Sequence, residues 1–246
     1  MLKIREASRR FGGLIAVNEV SFDVEAGGIL GVIGPNGAGK TTFFNLVSGA
    51  IPLSSGEIVF DGKSTAGLRP HQIAHLGIGR TFQIVRPFGE LSVLENVLAG
   101  IGARSCKSLM SSLAYCRGRR YADEARALLG RTHLLPYENE TACKLPLGLL
   151  RRLEIARALA LKPKLILLDE SFSGLSHQEA LALVELVREL RSDGMTVLLI
   201  EHNMQITMNL CDRLVVLDRG EKIAEGEPEA VQNDPRVISA YLGSDD

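Results

Sequence analysis

The stretch "GILGVIGPNGAGKTTFFNLVSG", Gly28 to Gly49, decides the fold. It opens on a short, almost wholly apolar run, Gly28 to Gly34, of the kind that suits a strand buried on both faces of a parallel sheet. It closes on Phe43, Phe44, Leu46 and Val47 at helical spacing. Between them, Gly34-Pro35-Asn36-Gly37-Ala38-Gly39-Lys40-Thr41 fits the pattern G-x-x-x-x-G-K-[ST]. Strand, glycine loop and helix in that order are the context that makes the pattern a phosphate cradle. Glycines let the backbone wrap closely, so successive N–H groups converge on phosphate oxygens. The helix N-terminus adds its positive end. Lys40 supplies a point charge for the β- and γ-phosphates, Thr41 offers a hydroxyl to Mg²⁺, and Thr42 follows at the head of the helix.

Working outward, "KLILLDE" (Lys164 to Glu170) and "MTVLLIEH" (Met195 to His202) have the same buried-strand character. "VNEVSFDVEAGG" alternates, with Val20, Phe22 and Val24 on one face, and "GEIVFDG" closes on Asp61-Gly62. These two read as an antiparallel layer. "DRLVVLDRGEKIAEGEP" reads as a late strand pair turning at Arg219-Gly220. From about Pro87 to Ala160 strand-type runs give way to helical spacing, as in "LSVLENVLAGI" and "YADEARALLGRTHLL". The expectation is one α/β domain over 1–246: a mostly parallel sheet with an antiparallel β layer, a core from 1–86 and 161–246, and an inserted helical subdomain over 87–160.

Bulk properties narrow the class. The 246 residues are 46% apolar, enough for a sizeable core. The 28 basic and 29 acidic side chains nearly cancel, giving no basic excess to suggest nucleic acid. The basic cluster Arg117, Arg119 and Arg120 reads as a solvated face. Cys106, Cys116, Cys143 and Cys211 form no C-x-x-C pair and read as free thiols in a reducing compartment. No apolar run approaches the ~18 residues of a membrane helix, and "MLKIREASRRF" lacks a signal-peptide core. The chain is expected to be cytoplasmic, reaching a membrane only through partners.

"LILLDE" places Asp169 and Glu170 at the end of a buried strand, where open parallel sheets border their ligand crevice. Asp169 suits the Mg²⁺ shell, and Glu170 suits a general base for the attacking water. At this point the chain resembles the nucleotide-binding subunit of an ABC transporter over nearly its whole length. The resemblance implies a phosphate-loop, RecA-like cassette that binds ATP and Mg²⁺ and hydrolyses ATP. Gln83 in "GRTFQIVRPF" matches the family's Q-loop glutamine, which senses Mg²⁺ and couples the site to the membrane subunit. His202 in "LLIEHNM" matches the switch histidine. Phe11 matches the aromatic that stacks on adenine, with a core Phe as the plainer alternative. Ser173-Gly174-Leu175-Ser176 falls at the D-loop. "RTFQIVRPFGELSVLENVLAG", "RRLEIARALA", "LLIEHNM" and "VISAYLG" are most similar to the larger ATPase subunit of branched-chain amino acid importers. That implies permease subunits in the membrane, a sister ATPase (or a second copy) as dimer partner, an indirect link to a substrate-binding protein, and a place on the inner face of the cell membrane.

Two stretches depart from the family pattern. The signature, usually L-S-G-G-Q and L-P-Y-G-Q-Q in this subgroup, here reads Leu145-Pro146-Leu147-Gly148-Leu149-Leu150. In the family it closes over the partner's γ-phosphate. Pro146 offers neither hydroxyl nor N–H, Leu149 and Leu150 stand where polar residues are expected to face nucleotide or solvent, and a helix is expected from about Leu149. "DESFSGLSHQE" puts Ser171 and Phe172 where the family has a proline and a small residue, so Phe172 is expected to crowd the dimer seam. Two readings stand beside the importer ATPase: a degenerate subunit that binds ATP but hydrolyses poorly, and a non-transport ABC ATPase.

Overall fold

The computed structural model describes residues 1–81, 86–104 and 119–242. Gln83, Cys106, Cys116 and Arg117 lie outside the described residues.

Among the described residues ten strands form two sheets. Strands β1 (Leu2–Phe11), β2 (Leu14–Val24), β4 (Ser55–Phe60) and β5 (Lys63–Ser64) make an antiparallel layer in the order β2-β1-β4-β5. Strands β3 (Ile29–Ile33), β6 (Ile78–Arg80), β7 (Leu165–Asp169), β8 (Thr196–Ile200), β9 (Arg213–Asp218) and β10 (Glu221–Gly226) run in the order β10-β9-β3-β8-β7-β6. That sheet is parallel except at β10, which pairs antiparallel to β9. The Asp61-Gly62 and Arg219-Gly220 turns carry positive φ at both residues, 48° and 76°, then 47° and 87°. This twist closes two-residue hairpins.

β3, β7 and β8 are buried at all five positions each, as their unbroken apolar sequence requires. Alternate residues serve opposite faces. Leu30, Val32, Leu165, Leu167, Leu198 and Ile200 join the antiparallel layer and the helix Lys40–Val47 in one core. Ile29, Ile33, Ile166, Leu168, Val197 and Leu199 join the helix His177–Ser192 in a second. The register brings the site together: Asp169 pairs with Ile200, and Ile200 pairs with Val32. Three neighbouring strands therefore end level, delivering the Gly34 loop, Asp169-Glu170 and Glu201-His202 to one edge.

A third apolar cluster holds Val97, Ile101, Ala125, Leu129, Leu153 and Ala156, from helices Val93–Gly102, Arg119–Arg131 and Leu147–Leu159. The last helix also sends Ile155, Ala158 and Leu159 into the second core. Sequence reading put its start near Leu149. The structure starts it at Leu147, with Pro146 at the N-cap position in extended backbone. Proline is tolerated there because it has no N–H to lose from the helix. Leu149 and Leu150, standing where polar residues are expected, pack half-buried on the third cluster. Phe172 is buried in the second core, so it does not crowd a dimer seam.

Candidate nucleotide site

The loop Gly34 to Gly39 turns through left-handed conformations at Gly34, Gly37 and Gly39. Two of these glycines are also forced by space. A Cβ on Gly34 would lie 2.0 Å from the Leu217 carbonyl oxygen, and one on Gly39 2.4 Å from that of Ala16. The loop is thus seated on β9 and on the β1–β2 hairpin. Ala38 accepts from the Gly220 N–H and Pro35 accepts from the Ala38 N–H. The helix follows directly, with Gly39 at its N-cap and no side-chain cap. Its first-turn N–H groups are therefore left for a ligand. Lys40 is buried and its Nζ donates to the carbonyls of Gly34 (2.7 Å) and Pro35 (2.8 Å). Burial pulls its pKa down, and the Glu170 carboxylate opposes that. Asn36, Gly37 and Thr41 are exposed, Pro35 and Thr42 half-buried, Ala38 buried.

Asp169 ends β7 and is buried. Its Oδ2 is 2.8 Å from Arg80 Nη2, and its Oδ1 has no hydrogen-bond partner. Burial raises its pKa and the Arg80 guanidinium pulls it back. Glu170, at φ 47°, is anchored by its N–H to the Ile200 carbonyl. Its Oε1 lies 2.7 Å from His202 Nε2. Thr41, Arg80 and Asp169 line a cavity of about 640 Å³ that continues past Arg86, Phe88, Glu154 and Arg157. Sequence-expected residues from three elements thus meet at one edge: Lys40 and Thr41, Asp169 and Glu170, and His202. Phe11, at the end of β1, is 44% exposed, with the Arg9 guanidinium 4.5 Å over one ring face. It is a surface aromatic, and the core alternative falls. Leu145 to Gly148 do not line the cavity. Gly148 packs against Glu179, and a Cβ there would lie 2.7 Å from Glu179 Oε1.

Three further residues contribute that sequence reading did not single out. Arg80 holds Asp169. Glu201 is buried and its Oε1 accepts from the His202 N–H at 3.1 Å. Burial raises its pKa, while the N–H groups of His202, Asn203 and Phe172 oppose this. Glu201 so ties the switch loop to the segment after Glu170. Glu179 caps the helix that starts at His177 through Ser176. Arg80 acts through a partner distant in sequence, whereas Glu179 completes a capping box with Ser176 three residues before it. Among the other expectations, Ser171 is buried with its hydroxyl 3.1 Å from that of Thr81, Arg119 and Arg120 are exposed, Cys143 is exposed and Cys211 buried. Burial pushes the Cys211 thiol up to about 12, so it is an inert thiol rather than a nucleophile.

A strand–glycine loop–helix cradle, level with a buried carboxylate and a glutamate–histidine pair, defines a phosphate-loop nucleotide-hydrolysing cassette. The model of the ABC transporter family matches residues 17–173, and the chain belongs to that family. A second model, branched-chain amino acid ATP-binding cassette transporter, matches residues 221–246. The chain is 42% identical to the high-affinity branched-chain amino acid transport ATP-binding protein LivG of Salmonella typhimurium, over 99% of this chain and 98% of that one. It is 41% identical to BraF of Pseudomonas aeruginosa, over 99% and 98%. A crystal structure of the ADP conformation of MJ1267, an ATP-binding cassette of an ABC transporter, superposes with TM-score 0.89 at 34% identity, over 99% of both chains. Members of this family are ATPases coupled to transport, and the fold class read from the sequence is that of the cassette. No helix among the described residues is long and apolar enough to cross a membrane.

Proposed function

We propose that this chain is the ATP-hydrolysing subunit of an importer that takes up branched-chain or related amino acids. It would sit on the inner face of the cell membrane with permease subunits, a sister ATPase and, indirectly, a substrate-binding protein. The observation that carries hydrolysis is the Glu170 Oε1–His202 Nε2 contact of 2.7 Å, level with the phosphate loop. The observation that favours amino acid import is full-length similarity to LivG and BraF.

The chemistry follows from the residues. Phe11 offers a face to adenine. The Gly34–Gly39 N–H groups and Lys40 hold the phosphates, with Lys40 exchanging its bonds to the loop carbonyls for bonds to phosphate oxygens. Glu170, held by His202, takes the proton of the attacking water. The residues fit Mg²⁺: Asp169 leaves one buried carboxylate oxygen unpartnered, and Thr41 adds an exposed hydroxyl. Among the described residues no group of three or more His, Cys, Asp or Glu could form a cage. This suits an ion held by one carboxylate, a hydroxyl and substrate phosphates. When bound, Mg²⁺ neutralises charge on the β- and γ-phosphate oxygens. Gln83 would report on that ion. Residues 87–160 would act as the helical unit whose signature, Leu145-Pro146-Leu147-Gly148, closes over the partner's ATP.

The test is uptake of labelled leucine, isoleucine and valine by cells lacking this chain. The parent sequence restores uptake and Glu170→Gln does not. Uptake unaffected by the deletion overturns the amino acid reading. The altered signature favours a second reading, a subunit that binds ATP without turnover. In that case Glu170→Gln would restore uptake as well as the parent does.

A further inference from the structure

Arg80 opens the stretch "RTFQIVRPF" and has no site role of its own so far, yet its guanidinium makes three side-chain hydrogen bonds beside the phosphate loop. It ends β6, the edge strand, which pairs with β7 in parallel. Its Nη2 donates to Asp169 Oδ2 at 2.8 Å. Its Nη1 donates to Asn45 Oδ1 at 2.8 Å and to Ser48 Oγ at 2.7 Å. Both members of the ion pair are largely buried, with side chains 10% and 4% exposed. Asn45 lies four residues after Thr41 and Ser48 seven, so all three share one face of the helix that begins at Lys40. One guanidinium fork therefore spans from the helix face carrying Thr41 to the carboxylate of Asp169. Two nitrogens of one rigid, planar guanidinium, one on Asp169 and the other on Asn45 and Ser48, fix both distance and orientation between the two elements, which a point charge does not.

Resting on the nucleotide-site reading above, we propose that Arg80 is a positioning residue for the divalent cation. It pins Asp169 Oδ2 to the loop helix and leaves Oδ1, the unpartnered oxygen, as the face presented to the ion beside Thr41. Arg80 touches neither nucleotide nor metal in this role. It sets the spacing between the two groups that hold the metal. A buried ion pair that only stabilised the fold would affect nucleotide binding equally with and without the cation. A positioning residue affects the cation-dependent part alone.

The experiment titrates the purified chain with a fluorescent ATP analogue in EDTA and at graded Mg²⁺. Removing a residue that orients a metal ligand typically costs about 10- to 100-fold in metal affinity. For Arg80→Gln we expect the Mg²⁺ concentration for half-maximal tightening to rise by that factor, with affinity in EDTA within about twofold of the parent. Arg80→Lys keeps one ion pair without the fork and falls between. Asn45→Ala keeps the Asp169 pair and removes one helix anchor, giving a smaller shift in the same direction. It remains informative if Arg80→Gln fails to fold. Mg²⁺ dependence unchanged in Arg80→Gln, or in Asn45→Ala where that is the folded variant, overturns the proposal. So does an equal loss in EDTA and in Mg²⁺. Lys40→Ala separates the two levels: loss of binding there with unchanged Mg²⁺ dependence in Arg80→Gln defeats the Arg80 inference alone, whereas unaltered binding in Lys40→Ala defeats the site reading.

Discussion

Glu154 offers a quantitative test of how the cavity beside the phosphate loop is built. It lies on the helix Leu147–Leu159, 7% exposed, and lines the cavity shared with Thr41 and Asp169. Its Oε2 has no hydrogen-bond partner, and the nearest charge to it is Arg151 Nη1 at 3.7 Å. Burial pushes its pKa up from 4.5 to about 7, against the pull of Arg151, the Arg86 backbone and Arg157. The other charged groups on the cavity wall are Arg80, Arg86, Arg157 and Asp169. The folded chain thus holds a proton that the unfolded chain has released between those two pH values. The native state binds more protons there, so stability falls as pH rises through the window. At about 1.4 kcal/mol per unit, the full effect approaches roughly 3 kcal/mol by pH 8 and vanishes below the unfolded value.

Glu154→Gln keeps the shape and removes the titration. Thermal unfolding of parent and variant, followed by circular dichroism from pH 5 to 8.5, reads the difference. At pH 5 the two should nearly coincide, since the parent is protonated. At pH 8 the variant should be the more stable by up to about 3 kcal/mol, or roughly 6–12 °C in a chain of this size. The pH 5 comparison absorbs any cost of burying the amide. A gap between variant and parent that is the same at both pH values refutes the reasoning.

Other perturbations report on the site itself. Lys40→Ala removes a charged donor to phosphate, worth about 1.5–3 kcal/mol, so a nucleotide titration should read a 10- to 150-fold loss of affinity. Phe11→Ala removes a stacking face worth about 1–3 kcal/mol and should weaken ATP far more than inorganic triphosphate in the same titration. Glu170→Gln should leave nucleotide affinity intact and slow phosphate release from the assembled transporter by about 10²–10⁴-fold. Pro146→Ser puts a hydroxyl at a helix N-cap that has no side-chain cap; it should raise stability by about 1 kcal/mol and speed phosphate release at the partner's site.

What the sequence could say depended on how local each signal was. β3, β7 and β8 are unbroken apolar runs, and their ends carry Lys40, Asp169-Glu170 and His202, so strands and motif residues were legible together. β6 was not, because Ile78-Gly79-Arg80 is too short to show a period and exists as a strand only through its pairing with β7. Arg80 and Glu201 were hidden for the same reason. Their roles lie in contacts to Asp169, and to the Phe172 segment, which no spacing rule connects to them. The signature helix carries two apolar faces, which an expected start near Leu149 did not reveal. Residues 153 to 156 are all buried, split between the second core and the third cluster, or against the cavity in the case of Glu154.

That double burial bears on the departures from the family pattern. Ser171 in place of proline gains the Thr81 hydroxyl and keeps the exit of β7 tied to β6. Phe172 turns inward and fills the second core. Leu149 and Leu150 extend the third cluster. Each of these changes finds a partner within the chain, so none leaves the nucleotide site of this subunit short of a contact. Gly148 keeps its close approach, since Glu179 leaves no room for a Cβ, and the Glu179 carboxylate is drawn down chiefly by the Ser176 hydroxyl and N–H, with the Gly148 N–H adding to them. Pro146 is different. It is exposed, it heads a helix without a side-chain cap, and it supplies neither hydroxyl nor N–H. Leu149, Leu150, Ser171 and Phe172 are thus accounted for within the chain, and Pro146, a proline that the subgroup pattern shares, is the position that bears on a partner. If the chain pairs with a sister ATPase, the consequence falls on the partner's ATP, while Lys40, Asp169 and Glu170 keep their full support.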